Sequence, residues 1–325
     1  MPSGNGVSSG QSSIKPVAET YSEAIRRAEQ YRRPPASATL RATMAELLLW
    51  ATDVHLDHLR ARDAAFEFGR ALAREQPEAV GLILTGDIAE APSVERTLKD
   101  LVAGFSHPVY FVLGNHDYYR GSFQLVDRAV ATTCRATEGL HWLHHEVVPF
   151  ADAVMLVGIN GWYDAAYGDR NTDLELTDFT LIEELFAAQD DSREGLLRAC
   201  AERAQEQART LELRLDDLVG RESLRQIVVA THVPPFQAAA WHQGKPSDDR
   251  WAPFFSNKAL GDSLLRCAER HPAIDYTVLC GHTHGSGTYC ALPNLTVHTG
   301  RAQYRAPDLA GFLEIEPGVV RVRLC

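Results

Sequence analysis

Three consecutive polar residues, Asn115, His116 and Asp117, follow Gly114 at the end of an apolar run. The amide oxygen of an asparagine can bind a cation, an imidazole can carry a proton, and a carboxylate can fix which ring nitrogen holds that proton. A polar turn after a strand uses the same residue types, so this segment alone leaves both interpretations open. Similar groups elsewhere in the chain are needed to separate them.

Four further groups of this character lie along the chain, each directly after an apolar run. They are Asp53 with His55, Asp87 after Gly86, His232, and His282 with His284. One histidine or one Gly-Asp pair after a strand is common in ordinary turns. Five such groups, each directly after an apolar run, predict a single functional site.

The apolar runs before these groups predict the buried strands of an α/β fold. Strands are predicted at 47–52, 80–84 and 109–113, separated by helix-like segments at 63–75 and 93–104. This alternation favours parallel pairing. Further strands are predicted at 142–150, 154–159, 227–230, 276–280, 288–292, 295–299, 312–315 and 319–324. The last four are not separated by long helices, so we expect this part to pair largely antiparallel.

A long helix is predicted inside an acidic and helical insert, residues 164–222. Its apolar positions include Leu197, Ala204, Leu211 and Leu218, one stripe with alternating spacings of four and three, and Gly220 ends it. A dimerising coiled coil would use the same stripe, but its alanine content favours packing on the protein's own sheet. A loop at 236–257 is rich in aromatic residues and is expected over the site, with ordinary packing as the alternative.

Composition limits the class of protein. The chain has 325 residues, 45% of them hydrophobic, with 43 acidic against 32 basic residues and a formal net charge of -11. This balance disfavours nucleic acid and anionic membranes as partners. The six cysteines are scattered without a C-x-x-C pair, and neither a membrane span nor a signal-like start is present, which predicts a cytoplasmic protein. Residues 1–40 are expected to form a flexible tail with a short helix, and 41–325 a single catalytic domain.

The order D-x-H, G-D, G-N-H-D, H, G-H-x-H over residues 53–284 resembles the calcineurin-like metallophosphoesterase superfamily. The resemblance implies an α/β fold of four layers, in which two mixed β-sheets pack as a sandwich flanked by helices. It also implies a metal-dependent phosphohydrolase with a binuclear centre at the shared edge of the sheets. The cofactors would be two divalent or trivalent transition-metal ions, which imidazole and carboxylate ligands without thiolate suggest are Mn, Fe or Zn.

The resemblance assigns seven side chains as ligands of the two ions. The first ion would take Asp53, His55 and His284, the second would take Asn115, His232 and His282, and Asp87 would bridge both. A hydroxide bridging the ions would attack phosphorus, and His116 would protonate the leaving group as general acid. Asp117 would orient the His116 ring and favour its protonated form.

The second and third motifs bear on the substrate. Protein Ser/Thr phosphatases of the superfamily have G-D-x-V-D-R-G and G-N-H-E, whereas here Glu90 ends the run Gly-Asp-Ile-Ala-Glu and Asp117 ends the third motif. The pattern is more similar to small-molecule phosphohydrolases and cyclic-nucleotide phosphodiesterases, so the expected partner is a phosphate mono- or diester. Two alternatives stay open: a Ser/Thr protein phosphatase, and a non-catalytic scaffold that keeps the fold. The sequence does not predict the native metal pair or the oligomeric state.

Overall fold

The computed structural model describes residues 46–221, 223–316 and 318–325. The predicted flexible tail, residues 1–40, lies outside this part of the chain. Two six-stranded mixed sheets and a small two-stranded ribbon make up the β-structure of the described residues. The ribbon pairs β8 (Trp241–His242) with β9 (Lys245–Pro246).

The first sheet has the strand order β14-β13-β1-β2-β3-β4. Its strands are β1 (Glu46–Ala51), β2 (Ala79–Thr85), β3 (Val109–Val112), β4 (Leu140–Trp142), β13 (Gly311–Glu316) and β14 (Val319–Leu324). The strands β1 to β4 run parallel, and β13 pairs antiparallel with both β1 and β14. The parallel pairing predicted for the first strands is confirmed.

The second sheet has the strand order β11-β12-β10-β7-β6-β5. Its strands are β5 (Val147–Ala151), β6 (Val154–Gly158), β7 (Gln226–Ala230), β10 (Asp275–Cys280), β11 (Gly287–Leu292) and β12 (Leu295–Thr299). The central strands β6, β7, β10 and β12 are parallel, and the two edge strands are antiparallel. Of the last four strands, β11 with β12 and β13 with β14 pair antiparallel as predicted.

The two sheets pack face to face through alternate side chains of their strands. Trp50, Ile83 and Val112 of the first sheet share one buried cluster with Leu156 and Val228 of the second. Because successive strand residues point to opposite faces, the intervening residues pack outward against helices. Both faces of each sheet are therefore covered, and the predicted α/β sandwich flanked by helices is confirmed.

Eight helices of the described residues cover the sheets. They are α1 (Ala64–Glu75), α2 (Val94–Phe105), α3 (Phe123–Ala136), α4 (Asp178–Leu181), α5 (Glu183–Asp191), α6 (Arg193–Val219), α7 (Ala252–Phe255) and α8 (Lys258–Arg270). The stripe of α6 is buried within the chain, where Leu211, Leu215 and Leu218 pack with strand residues such as Val229. Internal packing, not a coiled coil, accounts for that stripe.

One predicted strand, 142–150, is wrong. The strand β4 ends at Trp142 in the first sheet, whereas β5 begins at Val147 in the second. Between them Leu143 donates its backbone N–H to Phe111 O and packs between the sheets, so the hydrophobic pattern continues where the chain changes sheet. The predicted neighbouring arrangement with 154–159 is confirmed, because β5 and β6 pair antiparallel.

Two properties bear on cellular context. None of the helices in the described part of the chain is both long and apolar enough to cross a membrane. All six cysteines are free thiols. The cytoplasmic location stays a prediction.

Candidate metal centre

The five polar groups meet at one edge of the sandwich. They follow β1, β2 and β3 of the first sheet and β7 and β10 of the second, and parallel strands bring their carboxyl ends together at such an edge. Backbone hydrogen bonds tie the loops to each other: the Asp53 N–H donates to Gly86 O, and the His55 N–H donates to Asp87 O, both at 3.0 Å. The structure thus brings the predicted site residues into one cluster.

Five residues of this cluster have left-handed backbone conformations. The φ angles are 49° at Asp53, 38° at His55, 53° at Asp87, 70° at His282 and 58° at His284. A non-glycine residue in this region is disfavoured by about 1–2 kcal/mol. Such conformations gathered at one place indicate that the loops are shaped for function and not for stability.

Glycine is required at position 114 because the backbone passes directly over a carboxylate. A Cβ atom there would lie 2.2 Å from Asp87 Oδ1 and 2.7 Å from a ring carbon of His232. A side chain at this position would push Asp87 out of the cluster. Gly114, which ends the third predicted strand, is therefore needed so that the backbone can pass close to Asp87 and His232.

Asp53, His55 and His284 form the first half of the cluster. Their ligand-type atoms all lie within 4.8 Å of one another, and His284 Nε2 lies 3.4 Å from Asp53 Oδ1. His55 Nε2 is buried and has no hydrogen-bond partner among the described residues. Burial lowers the pKa of His55 to about 2, so the ring is neutral and can offer a lone pair. An unpartnered buried nitrogen beside a carboxylate fits a metal ligand.

Asn115, His232 and His282 form the second half. Asn115 Oδ1 lies 3.0 Å from His232 Nε2 and 3.1 Å from His282 Nδ1, and the two nitrogens are 3.2 Å apart. The other nitrogen of each ring donates to a backbone carbonyl: His232 Nδ1 to Thr85 O at 2.8 Å, and His282 Nε2 to Phe254 O at 2.9 Å. Those bonds leave lone pairs on the nitrogens that face Asn115.

The second half is unfavourable without a positive charge at its centre. Three acceptor atoms face one another, and burial lowers the pKa of both rings, that of His282 to about 4. At neutral pH neither ring is therefore expected to bind the extra proton that would relieve the repulsion between these atoms. The donor set of one amide oxygen and two imidazoles instead fits a transition-metal ion.

Asp87 lies between the two halves. Its Oδ2 is 3.7 Å from His55 Nε2, and its Oδ1 is 3.4 Å from His232 Nε2. Burial, followed by the charges of Asp53 and Asp117, raises the pKa of Asp87 well above its ordinary value. Cations on either side would offset that cost, so the position suits a carboxylate shared by two ions.

The surroundings of His116 differ from those expected. Asp117 Oδ1 accepts the backbone N–H groups of Ile88 and Ala89, and Oδ2 accepts that of Gly114, at 2.7–2.9 Å. Among the described residues His116 Nδ1 has no hydrogen-bond partner, and burial lowers its pKa to about 4. The carboxylate of Asp117 holds loop backbone together, because three amide donors converge on it, and it does not orient the His116 ring.

Several residues of the site have no strand-end signal in the sequence. Asp178, 1% exposed, accepts hydrogen bonds from the Asn115 amide and from the hydroxyls of Tyr119 and Tyr163. Tyr119 also stacks on His116, with ring centroids 4.2 Å apart. Asp178 and Tyr163 lie in segments without the pattern that marks the five groups, and Tyr119 lies two positions beyond the third group.

Tyr304 is another residue of the site that the sequence analysis does not predict. Its ring centroid lies 4.6 Å from that of His55 and 4.8 Å from that of His284, yet its side chain remains 46% exposed. Burial raises the pKa of its phenol, which therefore stays protonated. An exposed aromatic ring thus lies at the entrance to the first half of the cluster.

Comparison with known proteins decides the family. The model of the calcineurin-like phosphoesterase family matches residues 47–286. The chain belongs to this family. The matched residues include every strand-end group of the cluster, so the resemblance carried by the motifs is confirmed. Family membership supports a metal-dependent hydrolase of phosphate esters, and members of this phosphoesterase family bind a dimetal centre.

Solved structures share the phosphoesterase fold. A phosphopantetheinyl hydrolase from Mycobacterium tuberculosis aligns with a TM-score of 0.58 at 16% identity, covering 80% of this chain and 90% of that one. A dimetal phosphatase from Danio rerio aligns with a TM-score of 0.54 at 14% identity, covering 84% and 93%. At these identities the likeness concerns the fold alone. A comparison of the sequence with curated proteins returned no match.

Proposed function

We propose that the chain hydrolyses small-molecule phosphate mono- or diesters, including cyclic-nucleotide-like esters, with two transition-metal ions. The observation that carries this proposal is the contact of three acceptor atoms, Asn115 Oδ1, His232 Nε2 and His282 Nδ1, at 3.0–3.2 Å. Such a contact is unfavourable unless a cation lies among them. Manganese, iron or zinc suits the ligand set.

The ligands divide between two ions with one residue shared. Asp53, His55 and His284 would hold the first ion, Asn115, His232 and His282 the second, and Asp87 both. When bound, the ions would lower the pKa of a water molecule and neutralise charge on the phosphate. The hydrogen bonds that His232 and His282 donate to Thr85 O and Phe254 O would keep their lone pairs directed at the second ion.

His116 is the residue proposed to donate a proton to the leaving group. Its Nε2 lies 3.8 Å from Asp87 Oδ2, which places the ring beside the shared carboxylate, and its side chain is 18% exposed. The ring therefore borders both the cluster and the solvent, where a departing alcohol would leave. Stacking on Tyr119 holds the ring in place without the help of Asp117.

A small substrate is favoured over a phosphoprotein. Ala91 stands where the protein phosphatase motif has the arginine that clamps phosphate, and Glu90 before it forms an ion pair with Arg120. The methyl group of an alanine cannot bind phosphate as that arginine does. The net charge of -11 also disfavours polyanionic nucleic acid.

The test is hydrolysis of a panel of esters by metal-free protein reloaded with Mn²⁺ or Zn²⁺. The panel contains p-nitrophenyl phosphate, bis(p-nitrophenyl) phosphate and a cyclic nucleotide. We expect turnover of at least one ester that is lost in His232→Ala and kept in His298→Ala. The ring of His298 contacts the Thr288 hydroxyl on the neighbouring strand β11 and lies outside the cluster. Turnover that survives His232→Ala, or no turnover with either metal, would contradict the proposal.

A further inference from the structure

We propose that Asp178, a residue of the 164–222 segment, is the positioning residue that makes Asn115 a metal ligand. The inference rests on the proposed function, because it concerns the second ion of that site. Asp178 has no place in the five strand-end groups and lies 63 positions from Asn115. It contacts the ligand and not the ion, so its role is to set the orientation of the Asn115 amide.

The contacts define which atom of the amide faces which neighbour. Asn115 Nδ2 donates to Asp178 Oδ1 at 2.9 Å, while Asn115 Oδ1 faces His232 Nε2 and His282 Nδ1. Tyr119 donates its hydroxyl to Asp178 Oδ1, and Tyr163 donates to Oδ2 at 2.7 Å. Both oxygens of this buried carboxylate are thus satisfied by donors.

The orientation of the Asn115 amide depends on which acceptors its NH₂ group binds: the carboxylate of Asp178, or the ring nitrogens of His232 and His282. If the amide rotated by half a turn, its NH₂ group could donate to His232 and His282, because both rings present lone pairs there. That arrangement would satisfy both rings without an ion and would turn the oxygen ligand away from them. A carboxylate is a stronger acceptor than a neutral imidazole, so Asp178 holds the NH₂ group on its own side. The ion-binding orientation therefore depends on Asp178.

Backbone hydrogen bonds fix the position of Asp178 relative to Asn115. It begins the short helix α4, whose end is joined to the loop after His116: the Arg120 N–H donates to Leu181 O at 2.8 Å, and the Glu183 N–H donates to Gly121 O at 3.1 Å. Asn115 and Asp178 thus sit on two segments that are paired with each other. The segment outside the motif groups is part of the site through this pairing.

The experiment measures Mn²⁺ binding to the metal-free full chain by calorimetry, with melting temperatures recorded for each variant. For Asp178→Ala we expect the second ion to bind about 10- to 100-fold more weakly, the loss typical for residues that support a ligand, and the first ion to bind as in the wild type. The matched control is Asp164→Ala. Asp164 is also buried in this segment, but it accepts backbone N–H groups of Ala166 and Ala259 away from the ligands, so both ions should keep their affinity.

A second variant decides the matter if Asp178→Ala does not fold. Asp178→Asn keeps the size and one acceptor oxygen but lacks the charge, and it should weaken the second ion by a smaller factor than Asp178→Ala. Wild-type affinity for both ions in Asp178→Asn, or in a folded Asp178→Ala, overturns the inference. If the unsubstituted protein itself binds fewer than two ions, the proposed function fails first and the inference falls with it.

Discussion

Asn115 Oδ1 and His232 Nε2 lie 3.0 Å apart, although 117 positions separate the two residues in the sequence. Neither atom carries a proton for the other, because the amide NH₂ group donates to Asp178 and the ring N–H donates to Thr85 O. Two buried acceptors in contact repel each other unless a cation lies close to both. The relationship is therefore the clearest sign of a metal site in this chain.

Asp87→Asn should remove both ions together. The amide keeps the size of the side chain but lacks the charge and one of the two oxygens that face His55 and His232. We expect a loss of metal affinity larger than the about 10- to 100-fold typical for supporting residues, and a matching loss of turnover. Metal content after dialysis, measured by mass spectrometry, checks this, with Asp164→Asn as the control. Retention of two ions would refute the shared role.

His116→Ala should leave both ions in place and slow the reaction selectively. A proton donor contributes about 10²- to 10⁴-fold, and mainly where the leaving alkoxide is a poor one. We therefore expect a large fall for alkyl esters and a small one for p-nitrophenyl esters, measured as kcat/KM. His141→Ala is the control, since that histidine pairs with Glu146 on the outside. Equal losses with both ester types would argue against proton donation.

The pH dependence follows from the low pKa of His116. Burial lowers this pKa to about 4, and the proton-donating form is present below the pKa and lost above it. The ratio of kcat/KM for an alkyl ester to that for a p-nitrophenyl ester should therefore rise as the pH is lowered from about 7 towards 5. The ratio cancels any loss of metal in acid. It should become independent of pH in His116→Ala, and a flat ratio in the wild type would be inconsistent with the assignment.

Asp117→Asn should reduce stability more than catalytic selectivity. The carboxylate accepts three backbone N–H groups, and an amide would set its own NH₂ group against one of them. Leaving a buried donor unsatisfied costs about 1–3 kcal/mol, so the free energy of unfolding should fall by that amount or more. Denaturant unfolding of the metal-free protein measures it. Unchanged stability, with a selective loss for alkyl esters, would instead restore the predicted partnership with His116.

Much of the fold and of the site could be predicted because both depend on local patterns. Apolar runs such as 80–84 indicate buried strands, and the polar residues that follow them must meet where parallel strands end. The helix α3 also had a usable signal, since its buried residues Phe123, Val126, Val130 and Thr133 recur at helical spacing, but it was not predicted.

The remaining features depend on contacts that no local pattern encodes. Asp178 stands in an acidic segment and becomes important only because the chain returns it to Asn115. The change of sheet after Trp142 was missed because Leu143 is buried between the sheets and prolongs the apolar pattern. The predicted contact of Asp117 with His116 assumes that residues adjacent in the sequence interact. The oxygens of Asp117 instead accept hydrogen bonds from the backbone amides of Ile88 and Ala89, about thirty positions away.

The most direct test is a crystal structure of the protein soaked in Mn²⁺, with anomalous scattering used to locate the ions. Two peaks are expected at about 3.5–4 Å from each other, the spacing of binuclear hydrolase sites. One should lie among Asp53, His55 and His284, the other among Asn115, His232 and His282, with Asp87 touching both. A cluster that holds these positions but shows no peak, or a single ion away from it, would contradict the account.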